Sequence, residues 1–114
     1  MTTVRLDGQP QTSPVWYVWN GEEFLIYSLN SARVRNVAGN PKVSLHLNDD
    51  GKGDDVLTID GASTIDPGLP SAGSNEAYRE RYDSFVHSYG WTWDWYDSKY
   101  SVPIRVRPTK IRYW

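Results

Sequence analysis

Two serines and two arginines lie close together in the sequence and could bind an anionic group. Ser28 ends an apolar stretch, and Ser31, Arg33 and Arg35 follow it at the predicted start of a short helix. The first backbone N–H groups of a helix lack intrahelical partners, and hydroxyl and guanidinium groups can complete a phosphate site there. An ordinary strand–helix–strand connection with solvated arginines would have the same spacing. The residues alone leave both interpretations open.

The other chemistry-bearing residues do not form a recognisable catalytic set. His46 and His87 lie in unrelated contexts, with no nucleophile or carboxylate pair beside them. The acidic stretch 48–55 does not have the spacing of a calcium loop, so we interpret it as a solvated turn. The chain contains no cysteine, which excludes disulfides and thiolate metal sites. We therefore expect no catalytic side chain and no metal site.

Composition and charge limit the remaining function classes. The 114 residues carry a formal charge of −2 and contain no spacer-like stretch, which predicts one domain over residues 1–114 and argues against a nucleic-acid partner. No apolar run is long enough to cross a membrane and no signal peptide is recognisable, so we expect a cytoplasmic protein without a membrane partner. Six Trp and eight Tyr beside two Phe favour half-buried aromatic surfaces, as in ring-binding clefts.

The elements that must position these residues are mainly strands. Asp7-Gly8 and Asn20-Gly21 are typical of tight hairpin turns and predict a three-stranded meander over residues 2–6, 11–19 and 23–28. The middle strand is apolar on both faces. It must therefore be covered twice, by the core and by a partner subunit or a planar ligand.

Further strands and two helices complete the predicted architecture. We expect a strand at 43–47, a strand over 56–65 that is interrupted at Asp60-Gly61, and two closing strands around Pro108. The interruption is either a bulge or a second tight hairpin, and we favour the bulge. The segment 91–96 has neither a helical nor a strand period and is expected to close over an apolar surface. Helical spacing predicts a helix over 75–88. Its expected apolar face comprises Tyr78, Tyr82, Phe85, Val86 and Tyr89. The prediction is a mainly β fold, an antiparallel barrel of six or seven strands with one short and one longer helix.

The residues around the predicted phosphate site resemble the split-barrel flavin-binding superfamily typified by pyridoxamine 5′-phosphate oxidase. The run from Tyr27-Ser28 through Ser31 and Arg33 to Asn40-Pro41-Lys42 is similar to the phosphate-binding pattern of that superfamily. The runs 14–21 and 100–114 resemble the branch that uses the deazaflavin coenzyme F-420. The resemblance covers nearly the whole chain and implies the FMN-binding split-barrel fold.

The same resemblance implies a homodimer with two cofactor sites at the subunit interface. The placement of the aromatic residues further predicts that Trp91, Trp93 and the chain end cover the site from the neighbouring subunit. Members of the family usually carry a helix before the first strand. We expect that helix to be absent here, because residues 1–4 begin directly on the strand. The residues that the resemblance assigns to the cofactor are Ser13, Pro14, Val15 and Trp16 against the ring, and Tyr27, Ser28, Ser31, Arg33 and Arg35 around the phosphate.

The function implied is that of an oxidoreductase that transfers hydride from reduced coenzyme F-420 to a small conjugated substrate. An FMN-binding oxidoreductase of the same fold and a non-catalytic flavin- or deazaflavin-binding barrel are the alternatives. Hydride chemistry belongs to the cofactor in either enzyme, so no acid–base side chain is required. The basic residues that pyridoxamine phosphate oxidases place on the second strand are missing near Pro14 and Trp19, which argues against a vitamin-processing oxidase.

Overall fold

The computed structural model describes residues 1–47, 51–52 and 56–114. The acidic residues on which the solvated-turn interpretation rests, Asp49, Asp50, Asp54 and Asp55, lie outside this part of the chain. The described strands are β1 (Thr2–Val4), β2 (Pro10–Thr12), β3 (Val18–Trp19), β4 (Phe24–Ser28), β5 (Lys42–Leu47), β6 (Leu57–Ile65) and β7 (Val102–Tyr113). The α-helices are α1 (Ala32–Gly39), α2 (Glu76–Ser88) and α3 (Trp93–Lys99).

The strands form one seven-stranded antiparallel sheet in the order β2-β1-β5-β6-β7-β4-β3. The two end strands, β2 and β3, do not pair with each other. The sheet is therefore open, as in a split barrel, and the predicted mainly β fold is confirmed. None of the described helices is long and apolar enough to span a membrane.

The predicted meander is wrong, although both of its turns are confirmed. Gly8 and Gly21 have φ angles of 88° and 97°, as tight turns require. However, β2 pairs with β1 at one end of the sheet, whereas β3 pairs with β4 at the other. The predicted middle strand is interrupted over residues 13–17, which we call the strip. Pro14 has no N–H to donate to a strand neighbour, and side chains of two helices hold the strip instead.

The irregularity predicted at Asp60-Gly61 is confirmed, but the extra residue lies opposite it in β7. The register between β6 and β7 shifts at Asp60 and Gly61, which pair with Lys110 and Pro108, so that Thr109 has no partner in the ladder. Pro108 lies at this irregularity, where a missing N–H is tolerated. The two closing strands predicted around Pro108 are consequently one continuous strand, β7.

The long helix is confirmed, but part of its predicted apolar face is wrong. The Asn75 side chain caps α2 by accepting a hydrogen bond from the Tyr78 N–H at 3.1 Å. Tyr78, Tyr82 and Val86 are buried, whereas Phe85 and Tyr89 are 50% and 59% exposed. The reason is that α2 packs through a narrow stripe, so these two rings contact Trp16 and Trp91 only at its border.

The sequence-based prediction missed α3. Thr92 caps this helix, since its hydroxyl accepts a hydrogen bond from the Trp95 N–H at 3.1 Å. Trp93 and Tyr96, three residues apart, are its buried positions. The helical period was not recognised because aromatic residues occupy four of the six positions 91–96 and therefore fall on every face of the helix.

Two hydrophobic clusters meet at the strip. The first fills the sheet and contacts Val15 and Tyr17, and the second lies between the helices and β4 and contacts Trp16. Each face of the strip thus packs partly against a cluster of its own chain, and the strip residues remain half-buried or exposed. The buried members of the second cluster are Val18, Tyr27, Ala72, Tyr78, Tyr82, Val86, Trp93 and Tyr96.

Candidate cofactor site

The strip leaves backbone hydrogen-bond donors available near its centre. At one end the Ser13 N–H donates to the Met1 carbonyl at 3.0 Å. At the other end the Tyr17 N–H donates to the Tyr82 hydroxyl at 2.8 Å. Between them, the N–H groups of Val15 and Trp16 donate to no other residue that the structure describes. Such groups are normally satisfied by protein, water or a ligand.

Arg33, in the first turn of α1, reaches across to the strip. Its guanidinium donates to the Ser28 hydroxyl at 3.0 Å, to the Ser13 hydroxyl and to the Pro14 carbonyl at 3.3 Å. The Nε atom is buried and has no hydrogen-bond partner among the described residues, and none of their ion pairs includes Arg33. Burial lowers the pKa of Arg33. An anion could neutralise this partly desolvated cation.

Two cavities share Arg33 as a common wall. The cavity on one side has a volume of about 250 Å³, and the cavity on the other side has a volume of about 390 Å³. The first, the aromatic cavity, is lined by Pro14, Val15, Trp16, Tyr27, Arg33, Tyr89, Trp91, Tyr96 and Tyr100. The second, the polar cavity, is lined by Thr3, Gln11, Thr12, Ser13, Leu29, Ser31, Ala32, Arg33 and Asn36. Together they suit a ligand with a planar apolar part and an anionic part.

Stacked rings shape the aromatic cavity. The Trp16 ring is nearly parallel to Tyr82, with centroids 4.5 Å apart, and also stacks with Tyr96 at 5.5 Å. Tyr96 in turn stacks with Tyr100 at 4.3 Å. Stacked aromatic walls of this kind favour a planar, polarisable ligand.

Three tyrosine hydroxyls in and next to the wall of the aromatic cavity remain protonated. The hydroxyls of Tyr78 and Tyr96 lie 2.7 Å apart, and burial raises the pKa of both. The Tyr27 hydroxyl donates to the Pro70 carbonyl at 2.8 Å, and burial raises its pKa as well. These groups therefore act as neutral hydrogen-bonding groups that fix the rings.

The structure brings together most of the sequence-predicted site residues. Ser28 is fully buried, and its hydroxyl accepts from Arg33 while donating to the Leu29 carbonyl at 2.8 Å. Ser28 therefore holds the Arg33 guanidinium in place through this hydrogen bond. Arg35 is exposed and lines neither cavity. The remaining predicted residues line the polar cavity (Ser13, Ser31), the aromatic cavity (Pro14, Val15, Trp16, Tyr27) or both (Arg33).

Several lining residues were not predicted from the sequence. Trp91 was expected to cover a neighbouring subunit, but it lines the aromatic cavity of its own chain. Trp93, assigned the same role, is buried and donates through Nε1 to Asp83 at 2.8 Å. The aromatic density of residues 89–100 was the only sequence signal for this wall. The unpredicted lining residues are Tyr89, Trp91, Tyr96 and Tyr100 in the aromatic cavity and Thr3, Gln11, Thr12, Leu29, Ala32 and Asn36 in the polar cavity.

One histidine lies near the strip, since His46 lines a third cavity together with Pro14, Val15 and Trp16. His87 lies 3.7 Å from Asp83 on the exposed side of α2, and neither histidine lines the aromatic or the polar cavity. Within residues 1–47, 51–52 and 56–114, no group of three or more His, Cys, Asp or Glu side chains could hold a metal ion.

The family model for pyridoxamine 5′-phosphate oxidase matches residues 1–114. The chain belongs to this family. The match confirms the superfamily that was inferred from the Ser/Arg helix start, and the split-barrel sheet agrees with it. No curated protein matches the sequence.

Several solved structures share the fold of this chain. A structure described as an F-420 reductase is 25% identical, with a TM-score of 0.70, covering 97% of this chain and 85% of that one. A FAD-binding protein from Mesorhizobium loti is 20% identical, with a TM-score of 0.65 over 96% of this chain and 78% of that one. HutZ, a heme storage protein from Vibrio cholerae, is also 20% identical, with a TM-score of 0.65 over 98% and 82%. The family match and the reductase support a flavin-type oxidoreductase or binding protein.

Proposed function

We propose that this protein is an oxidoreductase that uses reduced coenzyme F-420 to reduce a small conjugated substrate. The observation that carries the proposal is the position of Arg33 between an aromatic and a polar cavity, with a buried Nε that has no described partner. A ligand that joins a tricyclic ring to a phosphate has both required parts. The similarity to an F-420 reductase favours the deazaflavin over other ring systems.

The residues of the chain would bind and orient the coenzyme. Arg33, Ser13 and Ser31 would hold the phosphate, and Ser28 would fix the guanidinium from below. The open N–H groups of Val15 and Trp16 would meet the polar edge of the ring. When bound, a reduced deazaflavin supplies the hydride, so the chain needs no catalytic acid or base.

The aromatic walls would exclude water from the ring. The aromatic cavity has a volume of about 250 Å³, which lies just below the usual range of roughly 300–1,000 Å³ for small-molecule sites. Part of the ring must therefore be covered from outside the cavity. We propose that a second copy of the chain supplies this cover in a homodimer, because exposed aromatic side chains border the cavity at Phe85, Tyr89 and Trp95.

Two alternatives keep the same site. An FMN-dependent oxidoreductase is favoured by the phosphate-binding character of the polar cavity and by the FAD-binding structural neighbour. A non-catalytic binding barrel is favoured by the heme storage protein of similar fold. Heme iron is commonly held by histidine. No histidine lines the aromatic or the polar cavity, and His46 lines only the third cavity beside the strip. The two cavities at Arg33 therefore offer heme no histidine ligand.

Parallel titrations with F-420 and FMN separate these functions. The proposed function predicts saturable binding of F-420, followed by hydride transfer from the reduced coenzyme to members of a panel of quinones, enones and nitro compounds. Preferential binding of FMN, or isolation as a yellow protein, would support the FMN enzyme. Binding without hydride transfer to any panel member would support the binding barrel. Absence of binding to both cofactors would contradict all three.

A further inference from the structure

Tyr82 of α2 holds one end of the strip with a single hydroxyl group. The Tyr17 N–H donates to this hydroxyl, and the hydroxyl donates to the Tyr17 carbonyl, both at 2.8 Å. These two bonds replace the strand neighbour that the strip lacks, since residues 13–17 belong to no strand. The side chain of Tyr82 is 7% exposed. A side chain of α2 therefore satisfies the backbone N–H and carbonyl of Tyr17, which a neighbouring strand would satisfy in a β-ladder.

The same side chain also supports the wall of the aromatic cavity. Its ring lies 4.5 Å from the Trp16 ring with an interplanar angle of 2°. Trp16 lines the cavity, whereas Tyr82 does not. Tyr82 thus fixes both the backbone at Tyr17 and the side chain at Trp16, from behind the surface that a ligand would touch.

A neighbouring cation strengthens this arrangement. The Arg81 guanidinium lies 4.6 Å from the centroid of the Tyr17 ring and 5.5 Å from that of Tyr82. The Tyr17 ring also contacts Phe24 edge to face at 5.4 Å. Tyr17 is therefore restrained through its ring and through its peptide groups. The opposite end of the strip is restrained separately by Arg33.

We propose that Tyr82 is a positioning residue that sets the geometry of the ring-binding wall without touching the ring. This inference rests on the proposed function, because it concerns binding of the coenzyme ring in the aromatic cavity. Removal of the hydroxyl leaves the Tyr17 N–H and carbonyl without these partners, and the strip can then shift relative to α2. The Val15 and Trp16 N–H groups shift with it, whereas Arg33 on α1 keeps its place.

The test compares Tyr82→Phe with a control on the same helix, Ser88→Ala. Each change removes one side-chain hydroxyl from α2, but the Ser88 hydroxyl donates to the Phe85 carbonyl at 2.9 Å, and Ser88 lines neither cavity. We expect Tyr82→Phe to weaken F-420 binding about tenfold, the scale set by one to two lost hydrogen bonds. Ser88→Ala should stay within about twofold of wild type.

A second measurement reports on the strip directly. Amide hydrogen exchange at Tyr17 should accelerate at least about tenfold in Tyr82→Phe and remain at the wild-type rate in Ser88→Ala. A merely structural role of Tyr82 would lower the melting temperature and accelerate this exchange, but it would leave the F-420 affinity of the folded protein unchanged.

The possible results distinguish this inference from the proposed function. Wild-type affinity in folded Tyr82→Phe, or an equal loss in both variants, would overturn the positioning role and leave the function intact. Failure of the wild-type protein to bind F-420 would overturn the proposed function and this inference with it. Selective loss of binding and protection in Tyr82→Phe would support both.

Discussion

At the scale of single residues, Arg33 is the most informative side chain in the molecule. It is partly desolvated, makes hydrogen bonds only to hydroxyl and carbonyl groups, and keeps a buried Nε without a described partner. A protein seldom retains such a group for stability alone, because burying an unpaired charge is unfavourable. The arrangement is typical of a site prepared for an anion.

Replacement of Arg33 tests the anion site. We expect Arg33→Ala to weaken F-420 binding by roughly 1.5–3 kcal/mol, the usual scale of a charge-assisted hydrogen bond. Fluorescence anisotropy of the coenzyme measures the change. Arg35→Ala is the matched control, since Arg35 is on the same helix but exposed and outside both cavities. A loss with Arg35→Ala and none with Arg33→Ala would place the phosphate on the other side of α1.

The buried tyrosine pair predicts a loss of stability in alkali. Burial raises the pKa of Tyr78 and Tyr96 above the ordinary value of 10.0. Above about pH 10 the unfolded chain releases these protons while the folded chain keeps them, so the free energy of unfolding falls as pH rises. Below that pH these two groups contribute no slope. Chemical denaturation at several pH values between about 8 and 12 measures the effect, and Tyr78→Phe should flatten it. Tyrosinate absorbance from all eight tyrosines in a still-folded protein would contradict the prediction.

At the scale of elements, the conformation of the strip is fixed by contacts with neighbouring helices and strands. Two helices supply its fixed points, Arg33 from α1 and Tyr82 from α2, while β2 and β3 begin and end the segment. No strand pairs with residues 13–17, and the N–H groups of Val15 and Trp16 have no partner among the described residues, while both residues line the aromatic cavity. The interruption therefore leaves backbone N–H groups that can bind a ligand, whereas a continuous strand would pair them with a neighbouring strand.

At the bulge between β6 and β7, a single added methyl group should destabilise the sheet. A Cβ atom at Gly61 would lie 2.6 Å from Val106 Cγ1 and 3.2 Å from the Arg107 carbonyl oxygen. We expect Gly61→Ala to lower the free energy of unfolding by about 1–3 kcal/mol, the cost of overpacking a filled core.

Urea denaturation measures this change, and Gly68→Ala provides the control. The nearest atom to a Cβ at Gly68 is Asp66 Oδ1 at 3.4 Å, so the control should change the free energy by no more than about 0.5 kcal/mol. Equal stability of Gly61→Ala and wild type would show that β6 and β7 can separate at the bulge without cost.

At the scale of the whole molecule, the aromatic side chains are distributed asymmetrically. Those of the second hydrophobic cluster continue to the surface at Phe85, Tyr89 and Trp95, which are 50%, 59% and 39% exposed. Contiguous exposed apolar surface commonly marks an interaction site. In this molecule it borders the cavity that needs further cover.

We expect the protein to sediment as a dimer with about twice the chain mass of 13.1 kDa. Phe85→Glu should shift the equilibrium toward monomer and weaken F-420 binding in parallel, because a charge at the centre of an apolar contact loses its hydration. Ser84→Glu adds the same charge at an exposed neighbour on α2 and should leave both properties unchanged. Analytical ultracentrifugation measures the mass, and a monomer at all concentrations would contradict the prediction.

Local signals were sufficient wherever a structure depends on near neighbours. The Asp7-Gly8 and Asn20-Gly21 turns, the bulge at Asp60-Gly61 and helix α2 were predicted correctly, because each follows from backbone preference or periodicity within a short segment. The Ser/Arg helix start also identified Arg33, whose role depends on its place in the first turn of α1.

The pairing of strands and the walls of the site depended on residues far apart in the chain. Tyr17 and Tyr82 are 65 positions apart, and no local pattern announces that one hydroxyl will hold the other residue's peptide groups. The sequence alone determined the turns, most helices, the β class and the cation at Arg33. Only the tertiary structure decided that β2 and β3 separate, that the strip stays unpaired and that the aromatic segment returns onto it, because those outcomes depend on which distant surfaces bury each other most completely.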